Sequence, residues 1–220
     1  PQRSGFAETI AQVSSSLTRQ SGYRRAGPTE IWLKAQPGDP VARLMVRDVR
    51  GTRVLVDPGK VDGDKLAAMG AITLSPDGRT VAVHLSSGGS EVGSTRFFDV
   101  ASGKETGQPV PAMWGEFGIA FLPGGMIAYT QLAPEPIGGD PVRGMTTYLR
   151  PLAGGTPVKL LGGQTGGANV PDSDFPIVMD SPHSPFVAGI AAGARVDQVL
   201  YLSPRAAVLA GKPEWQLVVG

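Results

Sequence analysis

The chain has 220 residues, 41% of them hydrophobic, and a formal charge of +1 from 20 basic and 19 acidic side chains spread along its length. That balance suits a folded, soluble protein; it excludes the concentrated basic face of a typical nucleic-acid binder, the longest basic cluster being Arg24-Arg25, read as an exposed loop pair. No stretch approaches the roughly 20 apolar residues of a membrane-spanning helix, and the lack of cysteine removes disulfides, thiolate metal sites and cysteine nucleophiles.

Apolar residues between residues 4 and 20 fall at Phe6, Ile10, Val13 and Leu17, close to helical spacing. Ser4 is the expected N-cap and Gly22 the expected stop. Residues 1–28 are therefore read as a short helical or irregular lead-in.

After Pro28 the chain reads as strands that recur. Leu74-Ser75-Pro76-Asp77-Gly78 is followed by Thr80-Val81-Ala82-Val83-His84, and then by Arg96-Phe97-Phe98-Asp99-Val100 with the turn Ala101-Ser102-Gly103. A second copy has Phe121-Leu122-Pro123-Gly124-Gly125, then Ile127-Ala128-Tyr129-Thr130, then Thr147-Tyr148-Leu149-Arg150-Pro151. A third has Ser181-Pro182-His183-Ser184, then Phe186-Val187-Ala188-Gly189-Ile190, then Gln198-Val199-Leu200-Tyr201-Leu202. A partial earlier copy holds Leu44-Met45-Val46-Arg47-Asp48 and Arg53-Val54-Leu55-Val56-Asp57. Pro76 and Pro123 are 47 positions apart; Pro123 and Pro182 are 59 apart, the excess lying in the Gly/Pro-rich insert at residues 134–144.

In each turn proline presets φ and glycine accepts the positive φ that other residues resist. A single unit buries too little apolar surface alone, so units must stack. Such a repeat, made of four short strands, predicts an all-β chain: a partial β-propeller of about three to four four-stranded antiparallel blades over residues 29–220. The units lie near 29–60, 68–111, 113–162 and 175–220. A β-sandwich would not repeat one turn at matching positions.

Several of these motifs, in order, resemble the N-terminal propeller of the prolyl oligopeptidases, a family of serine peptidases. They are Val54-Leu55-Val56-Asp57-Pro58, Leu74-Ser75-Pro76-Asp77-Gly78, Ser86-Ser87-Gly88-Gly89-Ser90-Glu91, Asp99-Val100-Ala101-Ser102-Gly103-Lys104 and Ile127-Ala128-Tyr129-Thr130. The resemblance covers roughly residues 30–220. It implies a propeller that gates access of short peptides to a catalytic α/β-hydrolase domain of the same polypeptide, and a chain that stops near mid-propeller. It also implies open blade edges available for self-association. A different class of reading is a stand-alone propeller that binds other proteins. A lactonase-like propeller with a central metal is weaker, because a ligand ladder is missing.

No catalytic residue is assigned. Gly-x-Ser-x-Gly, which holds a hydrolase serine at a strand-to-helix turn, is absent; Gly88-Gly89-Ser90-Glu91-Val92 comes nearest and reads as a polar loop. His84 is expected to be a strand residue with a satisfied ring nitrogen, and His183 a turn residue. Two isolated histidines make a poor zinc site, and Asp62-Gly63-Asp64 lacks the oxygen ladder of a calcium loop. No metal or cofactor is expected. The resemblance places Trp114, Glu116 and Phe117 where the propeller faces the substrate, with Glu116 standing where the family has an aromatic; the simpler reading is that Trp114 and Phe117 fill space between blades. Cytoplasm and bacterial periplasm both fit.

Overall fold

The computed structural model describes residues 5–61, 63, 67–193 and 197–219. The expected cap Ser4 and the acidic pair Asp62 and Asp64 lie outside the described residues. Helix α1 (Phe6–Ser16) opens the chain with Gly5 at its N-cap and no side-chain cap. It stops where Leu17 turns extended, not at Gly22.

Four antiparallel four-stranded sheets follow in chain order. Sheet 1 holds β1 (Arg19–Ala26), β2 (Thr29–Ala35), β3 (Arg43–Asp48) and β4 (Gly51–Val56), followed by the single-turn α2 (Pro58–Val61). Sheet 2 holds β5 (Ala68–Leu74), β6 (Thr80–Ser86), β7 (Val92–Asp99) and β8 (Val110–Trp114). Sheet 3 holds β9 (Ala120–Leu122), β10 (Met126–Gln131), β11 (Thr146–Pro151) and β12 (Val158–Leu161). A two-stranded ribbon, β13 (Gly163–Thr165) and β14 (Ala168–Val170), leads to sheet 4: β15 (Phe175–Asp180), β16 (Phe186–Ala192), β17 (Val199–Pro204), the short helix α3 (Arg205–Leu209) and β18 (Gln216–Val219).

The lead-in is thus not irregular up to Pro28. Arg19–Ala26 pairs along β2 from Arg19 opposite Ala35 to Ala26 opposite Thr29, with a bulge between Ser21 and Arg24 that contains Gly22. The strand was hidden because its side chains are nearly all exposed, so it carries no alternating apolar signal.

Each hydrophobic core lies between two successive sheets. Ile31, Leu44, Val46, Leu55 and Val56 of sheet 1 meet Val81, Val83, Leu85 and Phe98 of sheet 2. Ala82, Phe97, Val110 and Met113 of sheet 2 meet Ile127 and Tyr129 of sheet 3. Ala128, Leu149, Leu160 and Leu161 of sheet 3 meet Val178, Val187, Ala191 and Tyr201 of sheet 4, with Val208 and Trp215. The two-residue period of a strand does the sorting: along β6, Val81, Val83 and Leu85 face sheet 1 while Ala82 faces sheet 3. That is why β6 is buried from Val81 to Leu85, whereas β16 of the last sheet alternates. Four such meanders stacked in order are propeller blades; among the described residues no sheet closes on itself.

Polar staples join the blades at the same seams. Asp48 holds Arg53 at 2.9 Å, and Arg53 donates onward to Val100 O at 2.7 Å in sheet 2. The Arg53 side chain, chiefly through this hydrogen bonding, keeps the Asp48 carboxyl well below the usual carboxylate range. Thr130 and Thr147 both donate to Pro176 O, tying sheet 3 to sheet 4. The Trp215 indole donates to Leu160 O at 2.7 Å across the same seam.

The Ser75-Pro76-Asp77-Gly78 turn also has a seam function. Gly78 sits at φ +69° with its Cα facing sheet 1, where a Cβ would come within 2.9 Å of Ala26 O and 3.0 Å of Thr29 Oγ1. Only glycine meets both the left-handed backbone and the close approach.

Candidate functional site: an axial groove

The first strand of each sheet lies innermost. β5, β9 and β15 together border a space of about 390 Å³, with Thr73, Leu74, Phe121, Ile177 and Met179 on its walls. It continues past Thr73 and Gly118 into a second space of about 380 Å³, lined by Arg24 and Arg25 of β1, residues 71–74 of β5, and Glu116. The two form one groove along the axis around which the sheets are arrayed.

Of the three residues singled out from sequence, the structure brings only Glu116 into this groove, where it is exposed and forms no ion pair among the described residues. Trp114, partly buried, ends β8 opposite Val92. Phe117 turns toward sheets 3 and 4, its ring 5.9 Å from Phe175 in an edge contact. The loop that carries them is pinned by its backbone: Gly115 N donates to Glu91 O at 2.7 Å, Ala71 N to Gly115 O at 2.6 Å, and Phe117 N to Trp114 O at 3.1 Å.

Arg24 and Arg25 are not a loop pair. They lie on β1 at the groove wall, Arg25 reaching Glu30 at 3.7 Å and Arg24 donating to Tyr23 O. The sequence signal for them was the cross-strand pairing of Arg25 with Glu30, opposite charges facing each other on neighbouring strands. The groove therefore offers two cations on one wall, a carboxylate on another, and apolar strand faces between. Such a surface can hold an extended, zwitterionic chain; it sets no nucleophile beside a base.

His84 lies off this groove, 1% exposed, in a cage of three glycines. A Cβ at Gly70 would stand 2.8 Å from its Nδ1, one at Gly93 2.9 Å from its Nε2, and one at Gly115 3.3 Å from its Cε1. Nε2 lies 3.2 Å from Met113 O and serves as its donor; Nδ1 has no hydrogen-bond partner among the described residues. One ring nitrogen is satisfied, as the sequence suggested, and the other is not. Burial pushes the imidazole pKa down, with the Met113 carbonyl opposing.

The unfolded chain therefore takes up a proton at His84 at higher pH than the folded chain does. Its stabilising contribution is complete above about pH 6.5, the ordinary imidazole value, and is lost as pH falls toward the depressed folded value. His183 is exposed. Urea midpoints should accordingly fall more steeply from pH 7.5 to 5.5 in the native chain than in His84→Gln. Equal slopes would contradict this assignment.

Among the described residues, no group of three or more histidine, aspartate or glutamate side chains could hold a metal ion, and no helix is long and apolar enough to cross a membrane.

Residues 28–133 match the family described as prolyl oligopeptidase, N-terminal β-propeller domain. No curated protein sequence matches the chain. Among solved structures, a prolyl endopeptidase studied for inter-domain dynamics in catalysis and specificity is similar over 97% of this chain and 32% of its own, with TM-score 0.78 and 16% identity. Prolyl oligopeptidase B from Galerina marginata, bound to a 35mer hydrolysis and macrocyclization substrate, is similar over 100% of this chain and 34% of its own, with TM-score 0.76 and 13% identity. Its apo form gives 0.74 at 13% identity over the same shares. The chain spans about a third of the length of these proteins, and at such identities the likeness speaks for the fold. Residues 28–133, a little under half of the chain, thus match the prolyl oligopeptidase N-terminal β-propeller domain, and the fold of the chain is similar to that of these solved structures.

Proposed function

We propose that this chain is the propeller portion of a prolyl-oligopeptidase-like serine peptidase, gating the approach of short peptides to a catalytic α/β-hydrolase domain encoded outside these 220 residues. The family match over residues 28–133 carries this reading. The groove supports it: its walls are strands of successive blades, β5, β9 and β15, with Arg24, Arg25 and Glu116 at one end. Arg24, Arg25 and Glu116 would meet the peptide there, with Trp114 and Phe117 shaping the loop that carries Glu116. Restricting approach and orientation contributes to rate without bond chemistry.

The test compares the purified 220-residue chain with the full polypeptide of its gene. Both are offered a short proline-containing peptide and the same sequence embedded in a folded protein. The chain alone should hydrolyse neither, and the full polypeptide should cleave the peptide and spare the protein. Turnover by the chain alone would overturn the reading, and so would a gene encoding no hydrolase, which would leave a stand-alone binding propeller.

A further inference from the structure

The loop that carries Glu116 into the groove is gripped at its root. Three successive carbonyls there each meet a donor: Pro111 O meets Gln131 Nε2 at 2.7 Å, Ala112 O meets Leu132 N at 3.0 Å, and Met113 O meets His84 Nε2 at 3.2 Å. Between them Ala112 stands at φ +51°, the one non-glycine with positive φ among the described residues. An L-residue keeps that conformation only where its surroundings impose it. The chain is therefore bent into place where sheet 3 and His84 hold it. Past this bend Gly115 lies against the His84 ring.

The walls of the histidine cage are not equally firm. Gly70 and Gly93 belong to β5 and β7, inside the ladder of sheet 2. Gly115 belongs to the loop and is held by two backbone hydrogen bonds, to Glu91 O and from Ala71 N. A proton added to the ring goes to Nδ1, because Nε2 already donates to Met113 O, and Nδ1 has no acceptor among the described residues. Nor does a counter-charge face it. β5, β6 and β8 carry no charged side chain beside the ring itself. On β7, Arg96 stands opposite Val83, on the face toward sheet 1, and pairs with Glu105, while Asp99 is bound up in its turn with Ser102. Sheet 3 brings Tyr129 and Arg150 to the seam, with Arg150 committed to backbone carbonyls. Glu91 and Glu116, on the flanking loops, are exposed. A buried charge without a partner is costly, and water reaches this one most readily if the Gly115 wall yields.

We propose that His84 is a pH-operated latch on the groove: while neutral it holds residues 113–117, with Glu116, at the groove wall, and on protonation it releases them to swing about Ala112. Withdrawal of Glu116 leaves Arg24 and Arg25 as the charged groups at that end of the groove, which turns from mixed to cationic. The open loop lets the ring take up a proton at its ordinary value of about 6.5, whereas the closed cage does so only at lower pH. Opening is therefore favoured as pH falls below about 6.5, until the closed form is itself protonated. The inference uses only this chain's geometry and stands apart from the peptidase reading.

The test is amide exchange on the 220-residue chain at pH 7.5 and 5.5, corrected for intrinsic rates, with urea added below the unfolding transition to separate local from global opening. The Gly115 and Ala71 amides should open about fivefold to tenfold more often at pH 5.5, the range that one proton on an imidazole allows over this interval. Their opening should be nearly insensitive to urea, and β18 amides should not respond to pH. His84→Gln, which keeps a donor for Met113 O, should abolish the response. Should that variant not fold, the ring carbon resonances of the native chain decide, since His84 must titrate at lower pH than the exposed His183. The proposal fails if the Gly115 and Ala71 openings ignore pH, if they follow the urea dependence of β6, if their pH response survives in folded His84→Gln, or if His84 titrates together with His183.

Discussion

Replacing Arg150 by methionine should destabilise the chain by about 3 kcal/mol, read as a drop in urea midpoint. Arg150 is 4% exposed and forms no ion pair with a carboxylate among the described residues. It donates instead to four backbone carbonyls: Pro151 O at 2.8 Å and Leu152 O at 3.3 Å within sheet 3, and Gln108 O at 2.6 Å and Pro109 O at 3.2 Å in the segment leading to β8. Its Cζ stands 5.5 Å over the Tyr129 ring. Methionine replaces the stem but none of the donors. Leu152 O and Pro151 O keep backbone donors from Gln108 N and Gly154 N, whereas Gln108 O and Pro109 O lose the charge that holds them. Hydrogen bonds to charged groups contribute about 1.5–3 kcal/mol each, and stranded buried acceptors add their desolvation cost. Arg150→Lys should recover little, because an ammonium lacks the planar fork that reaches both sheets. A loss below about 1 kcal/mol for Arg150→Met would show that the sheet 2–sheet 3 seam does not rely on this staple.

Truncating Phe97 to alanine should cost about 3–5 kcal/mol, the usual range for a buried phenylalanine. Phe97 is 1% exposed, lies between sheets 2 and 3, and meets Phe121 edge-on with ring centroids 6.4 Å apart. Its neighbour Phe98 faces the other way, into the core shared with sheet 1. Phe98→Ala should therefore weaken the other seam, and the two losses should nearly add in the double variant, since sites without shared partners behave independently. Strong non-additivity would mean one merged core in place of separate seams.

The recurring hairpins were legible because proline and glycine punctuate them and because β-branched and aromatic residues fill the strands between. Elements whose order comes from partners were not. β1 is a polar strand, ordered by pairing with β2. The ribbon of β13 and β14 is a glycine-rich segment with only short apolar punctuation. In the last sheet, α3 and the Trp215 segment replace the tight turn found between the third and fourth strands of sheet 2. At the groove, Glu116 was singled out only through the family resemblance, while Arg24 and Arg25 were misread because their strand was.

These sheets are blades, each stable only through the cores it shares with its neighbours. Native-state hydrogen exchange resolved by residue tests it most directly. Amides of β6 and β10, covered on both faces, should exchange slowest. Those of β18, exposed along its length, and of α1, whose Phe6, Ile10 and Val13 are more than half exposed, should exchange fastest. Protection of β18 equal to that of β6 would contradict the claim.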